Sequence, residues 1–394
     1  MAVGVSGRRE PSSSIFNDPK FRGLAYQVLL LIGVLGIFWW LANNAATNLA
    51  RQNKATGFGF LNEAAGFEIA FTLLPFSRAS SYFDVFLIGI TNTLLVAVVG
   101  IVLATVLGFA MGIARLSGNF LIRTGAAIYV EIVRNTPLLL QLFFWYFLSL
   151  NALPAVRQSY ALGGFVLNQR GFSFPVAVVD DRFFWVAAVG ILAIIASFVW
   201  RRRALALTEK TGKRHPIWLP ILGIVFIPTI VAFFVSGTQV SFDSPELQGF
   251  NYRGGFTAPP ELTALVVGLV IYTAAFIAEI VRAGIQSVNY GQTEAAEALG
   301  LRESDRLRLV IVPQAMRVIV PPLTSQYLNL TKNSSLGAAI GFPELVAVFA
   351  GTSLNQSGRA IEIIGLTMLV YLTISLLTSI FMNWYNARVA LVQR

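Results

Sequence analysis

Apolar residues in this chain gather into long runs and do not alternate with polar ones. Eight runs stand out, at about 24–42, 86–114, 126–149, 183–200, 217–236, 262–281, 316–340 and 361–383. Runs of about twenty apolar residues match the hydrocarbon thickness of a bilayer, so each predicts a transmembrane helix. The fold class that follows is an all-α polytopic membrane protein with about eight transmembrane helices. The runs at 183–200 and 217–236, joined by the basic RRRALALTEKTGKR, hold almost no polar residue and are expected at the periphery. The connecting loops 43–85, 151–182 and 237–260 are rich in Asn, Gly, Ser and aromatics and read either as contacts for an extracytoplasmic partner or, for most of their residues, as solvated connectors.

Two places depart from this pattern. The first is a polar, alanine-rich loop, YGQTEAAEALGLRESDRLRLVIVP, at 290–313. A connection between two membrane helices needs only a few residues, and this one runs to more than twenty. Its composition predicts one helix over 293–299 with Thr293 as N-cap, a left-handed stop at Gly300, and a second helical run over 304–312. It is either an amphipathic surface loop or a docking element for another protein.

The second departure is the seventh run. Its apolar part at 318–330 contains Pro321 and Pro322, is short for a crossing, and meets Thr331, Lys332, Asn333, Ser334 and Ser335 before apolar character resumes. Polar residues inside a span are costly in lipid unless they face a cavity or another helix, and interrupted helices often supply substrate sites. Asn329, Lys332, Asn333, Ser334 and Ser335 are therefore substrate-pathway candidates. The alternative is that the span ends at Leu330 and Lys332 reaches the outer interface.

Charge supports this organisation. The chain is 56% hydrophobic and 12% charged, with a mean hydropathy of +0.69 and a net charge of +10. Lys and Arg divide as 19 on the side of both termini and 9 on the other, with Arg134 inside a span. The positive-inside rule accounts for that asymmetry without a nucleic-acid partner, and it predicts that both termini and the 290–313 loop are cytoplasmic. Residues 1–23 read as a cytoplasmic tail and not a cleaved signal. The absence of cysteine excludes a disulfide framework or Cys-based metal site, and His215 reads as a solvated loop residue. No metal-ligand cluster, catalytic nucleophile–base set or phosphate-binding G-x-x-x-x-G-K-[ST] loop is present, so no catalytic residue and no bound cofactor are expected.

Charges also occur inside spans. Glu131 and Arg134 lie three residues apart on one helix face, followed by Asn135, Thr136 and Pro137, which loosen the backbone. Glu279 and Arg282 repeat the spacing at the cytoplasmic end of the sixth span. Each couple reads either as a self-satisfied ion pair, with Arg282 snorkelling, or as part of a path (Glu131, Arg134, Asn135, Thr136) or of a gate or brace above the loop (Glu279, Arg282).

Glu294-Ala295-Ala296, Gly300 and Pro313 resemble, at full spacing, the EAA signature of ABC importer permeases, with Val310 and Val312 in place of its Ile and Leu. The segments 129–147, 272–301 and 89–118 resemble the core helices of the polar amino-acid (histidine/glutamine-type) permeases, with Asn135 where Gly is common. The resemblance implies a type I importer core at 86–150 and 261–394. It also implies extra elements at 24–85 and 151–260, as in the larger subtype for general or acidic amino acids. It further implies a coupling helix at 290–313 that docks on a separate ATPase through Glu294, Ala295, Ala296, Gly300 and Pro313. The implied partners are a second permease subunit, giving a hetero-dimer, two ATPase subunits holding ATP and Mg, and a periplasmic amino-acid-binding protein. The implied location is a bacterial inner membrane. An ion-gradient-driven secondary transporter is the rival reading; it shares the broken helix but leaves the long loop without a purpose.

Overall fold

The computed structural model describes residues 19–51, 57–212 and 216–389. Most of the predicted N-terminal tail and His215 lie outside them. Among the described residues, seven helices are long and apolar enough to cross a membrane, and an eighth apolar helix is shorter.

The chain opens with α1 (Pro19–Arg51), whose apolar side chains are nearly all exposed. After a one-turn 3-10 helix (Phe58–Asn62), α2 (Tyr82–Ala114) starts at a reciprocal cap. The Ser81 hydroxyl accepts the Asp84 amide at 3.2 Å, and the Asp84 carboxylate accepts the Ser81 amide at 2.8 Å. The single span expected at 126–149 is two helices, α3 (Phe120–Arg134) and α4 (Leu138–Ala152). Pro137 has no amide hydrogen and pushes Thr136 out of helical conformation, so the helix stops and restarts.

The insertion holds α5 (Phe183–Thr211) and α6 (Trp218–Ser236), which pack on each other. Its flanks are not plain connectors. They form eight strands of three or four residues: β1 (Tyr160–Leu162), β2 (Phe165–Asn168), β3 (Gly171–Phe174) and β4 (Val176–Val179) before the hairpin, and β5 (Val240–Asp243), β6 (Glu246–Gln248), β7 (Asn251–Arg253) and β8 (Phe256–Ala258) after it. An antiparallel sheet runs β1-β2-β3-β8, and β4-β5 and β6-β7 pair separately. Strands this short are hard to read from alternation, and β3 finds its β8 partner 84 residues away, with the Ser173 and Thr257 hydroxyls 2.9 Å apart.

Next come α7 (Pro260–Gln286), α8 (Tyr290–Ala298), α9 (Glu303–Arg306), a π-helical turn (Leu307–Ile311) and α10 (Val312–Asn333). A 3-10 segment (Ser334–Ile340), a π-helical segment (Val346–Ser353) and the short α11 (Leu354–Ser357) then lead to α12 (Ala360–Val389). The second helical run expected at 304–312 is helical throughout, as α9 and the π-helical turn, and leads directly into α10. The break expected near residue 331 falls two residues later, because α10 continues through Pro321 and Pro322 to Asn333.

The core is built around α7. Gly100, Ala104, Gly108 and Gly112 recur every four residues along α2 and bring it close to its neighbours. A Cβ on Gly108 would sit 2.5 Å from Ile277, and one on Gly112 would sit 2.7 Å from Val281. On another side of α7, a Cβ on Gly284 would lie 2.3 Å from Ile319 of α10. Close backbone approach lets dispersion act where lipid tails supply no hydrophobic drive.

Candidate functional site: the 290–313 loop and the polar cavities

The loop between α7 and α10 is an ordered unit. Asn289, not Thr293, caps α8, accepting the Gly291 amide at 2.8 Å; helix formation therefore begins one turn before the alanine-rich stretch. Gly300 adopts the left-handed conformation expected of it, at φ 70°. The Gly300 amide donates to Glu297 at 2.9 Å and the Leu301 amide to Ala296 at 3.1 Å, which together close a Schellman motif. Arg306 pairs with Glu297, and Gln314 donates to Gln292 at 3.1 Å, so α8 is tied to both α9 and α10. Ala296 is buried, whereas Glu294, Ala295, Gly300 and Pro313 face outward. Tyr290 and Leu299 are 70% and 80% exposed, giving the outer face a shallow surface with two apolar projections.

At the α3–α4 break, Glu131 and Arg134 do not form the ion pair their spacing allows. Arg134 stacks over the Phe276 ring of α7, 5.3 Å from its centroid. Glu131 accepts weakly from the Asn135 amide at 3.4 Å and borders a cavity of about 590 Å³ that Arg115, Arg123 and Arg282 also line. Asn135 donates to the Glu131 carbonyl at 2.7 Å, and the Thr136 hydroxyl to Ile132 at 2.8 Å. Gln141, which sequence reasoning missed, is buried and donates to the carbonyls of Val133 at 2.9 Å and Thr136 at 3.0 Å. It adds a side-chain donor to backbone carbonyls where the helix stops.

The five candidates at the end of α10 do not share one site. Gln326, Asn329 and Asn333, spaced i, i+3, i+7, lie on one face and with Tyr272, Thr273 and Phe276 of α7 line a cavity of about 240 Å³. Lys332 and Ser335 lie on the adjacent face, in a separate cavity of about 340 Å³ against Val346, Thr367, Met368 and Tyr371. Ser334 is fully buried between them and donates to the Thr331 carbonyl at 2.7 Å.

Glu279 and Arg282 do pair, at 2.5 Å, and Glu279 also pairs with Arg115 at the end of α2. The triad clamps α2 to α7 close to where α7 enters the 290–313 loop. Arg115 is 115 positions into the chain and Glu279 much later, so spacing could not reveal their contact.

Glu344 is the other residue that sequence reasoning passed over. It is fully buried and accepts the amides of Val346 and Ala347, both at 2.8 Å, and the Tyr371 hydroxyl of α12 at 3.1 Å. Beside it, Asn92 of α2 donates to the Pro343 carbonyl at 2.8 Å, and Thr93 accepts the Leu345 amide at 3.2 Å. The segment after α10 is thereby fastened to α2 and α12. Its signal was a lone carboxylate, Gly-Phe-Pro-Glu-Leu, between apolar runs.

The family model for the binding-protein-dependent transport system inner membrane component matches residues 215–391. The chain is 52% identical over 383 residues to the general L-amino acid transport system permease protein AapQ of Rhizobium johnstonii, covering 97% of this chain and 95% of that one. This chain belongs to the amino-acid ABC transporter permeases. It is also 48% identical to the putative amino-acid ABC transporter permease protein YhdX of Escherichia coli K12, over 96% of this permease and 97% of that one. The glutamate/glutamine/aspartate/asparagine transport system permease protein BztB of Rhodobacter capsulatus is 41% identical, with 97% of each chain covered. Coverage this complete takes in residues 151–260 of this chain. As a permease, the chain is a non-enzymatic component of a transport system.

Proposed function

We propose that this permease forms half of the transmembrane path of an ATP-driven importer of L-amino acids in a bacterial inner membrane. The observation that carries the reading is the coupling loop: a rigid, capped helix with an exposed small-residue face, standing directly beneath the α2–α7 clamp. A separate ATPase that binds ATP and Mg docks there, and this chain binds no cofactor itself. The loop and both termini face the cytoplasm, and the sheet end of α7 faces the binding protein that delivers substrate.

The path is completed by a second, different permease subunit. Glu131 and Arg134 are both exposed on α3, a charged face that the second subunit covers. The cavity of Gln326, Asn329 and Asn333 gives amide oxygens for an ammonium group and amide N–H donors for a carboxylate, as a zwitterion requires. None of its lining residues is acidic, which disfavours cationic amino acids.

The test is uptake of a labelled amino-acid mixture into proteoliposomes holding this chain with a partner permease, ATPase and binding protein. Uptake is expected to require internal ATP, and uptake driven by an ion gradient without the ATPase would overturn the reading. Asn329→Ala and Asn333→Ala are expected to raise the half-saturating substrate concentration about tenfold, the equivalent of one lost hydrogen bond of about 1.4 kcal/mol. Unchanged affinity and selectivity would place the site elsewhere.

A further inference from the structure

The small sheet of the insertion has two chemically opposite faces. Along β3 and β8 the side chains alternate. Phe172, Phe174, Phe256 and Ala258 face α2 and α7, closing an apolar groove of about 500 Å³ with Leu95 and Val266 among its walls. Ser173 and Thr257 point the other way, into a polar pocket of about 390 Å³. Asn168 forms part of its floor, bonded to the Ser159 hydroxyl at 2.9 Å, and Arg170, Asn251, Tyr252 and Arg253 form its rim.

None of the eight residues lining this pocket is acidic. Arg170 donates to the neutral Asn251 side chain. Glu246 stands opposite Arg253 in the β6–β7 register, yet no ion pair joins them, and neither Arg253 nor Arg170 pairs with a carboxylate among the described residues. Arg170 and Arg253 thus both border a cleft of hydroxyl and amide groups, and neither is bonded to a carboxylate there. Planar guanidinium forks match carboxylates in geometry as well as charge.

The pocket is also fixed to the transport core. A Cβ on Gly171 (φ 119°) would sit 2.0 Å from the Ala258 carbonyl, so β3 packs flush against the start of α7. The other end of α7 leads to the coupling loop.

We propose that this pocket receives a carboxylate, supplied by an acidic side chain on the protein that docks at the sheet end of the permease. Arg170, Asn251, Arg253 and Thr257 are all exposed, which suits a side chain projecting from a partner better than a free small molecule needing enclosure. The proposal rests on the reading that a binding protein delivers substrate to this end, and it names where part of that contact is made.

The experiment uses the reconstituted importer with the binding protein that supports its uptake. Arg170→Gln with Arg253→Gln is expected to raise the half-saturating concentration of binding protein about tenfold, with the saturated rate retained and the salt dependence of docking weakened. Arg170→Lys with Arg253→Lys keeps the charge and is expected to recover most of the affinity, which a folding defect would not allow. Assembly of each variant is read from its size-exclusion elution. Equal docking by the glutamine variant and the wild type would overturn this inference and leave the importer reading standing. No docking by the wild type would overturn both. Free L-glutamate at millimolar concentration is expected not to compete; competition that the glutamine variant abolishes would assign the pocket to a free carboxylate and overturn the docking role.

Discussion

Helices α7 and α6 are nearly indistinguishable in hydropathy, at 2.3 and 2.4, yet 61% of the apolar window of α7 is buried and none of that of α6. The difference lies in side-chain size. Helix α7 carries Ala264, Gly268, Ala274, Ala275, Ala278 and Gly284 among its buried residues, and α2 meets it with Gly108 and Gly112. Helix α6 carries Trp, Leu, Ile and Phe all round and touches chiefly α5. In lipid, apolar character alone brings no helix to another, because the tails are equally apolar. What selects a neighbour is a surface that lets two backbones approach, and polar groups that have somewhere to go.

That contrast fixes a ranking of effects. Gly108→Leu should be the most damaging, since its Cβ alone would overlap Ile277; we expect a loss of at least about 3 kcal/mol, seen as failure to recover the permease by size-exclusion chromatography. Recovery at wild-type yield would mean that the α2–α7 seam is looser than its geometry. Glu279→Gln comes next. It leaves Arg115 and Arg282 without their shared carboxylate, at about 2 kcal/mol, read as a lower Tm in detergent. Gly300→Val follows, with about 1–2 kcal/mol of backbone strain at φ 70° and no steric neighbour within 4 Å. Its signature is uptake lost while the permease itself is recovered intact, and unaltered uptake would detach the loop from coupling. Gly223→Leu in α6 should change stability by less than about 0.5 kcal/mol, because a Cβ there meets Ile227 at an ordinary 3.7 Å. A large effect would reveal that the hairpin has a packing partner.

Much of the coupling loop was legible in its local sequence. The stop at Gly300 follows from the conformational freedom of glycine, and the structure adds the two amide bonds that make it a Schellman motif. The N-cap was misplaced at Thr293 because alanine-rich composition marks the helix interior better than its edge, whereas Asn289 acts through one side-chain bond. The polar candidates were found as residues but not as a constellation. Asn329 and Asn333 share a cavity; Lys332 and Ser335 face a different one, a division set by helical rotation and by what packs on each face. The couple Glu131–Arg134 was equally open, and Phe276 of a distant helix claimed the arginine.

The sequence by itself determined the membrane-spanning character, the broad helix locations, the uneven division of cations among the loops and the helix stop within the 290–313 loop. These properties depend on the length of apolar runs, on charge counts and on one local motif. The tertiary structure decided which helices touch, that Arg115 as well as Arg282 answers Glu279, that Glu344 is buried as a cap, and that the insertion carries a two-faced sheet. Each of those joins residues far apart in the chain, where the deciding quantity is the distance between backbones and not the order of residues.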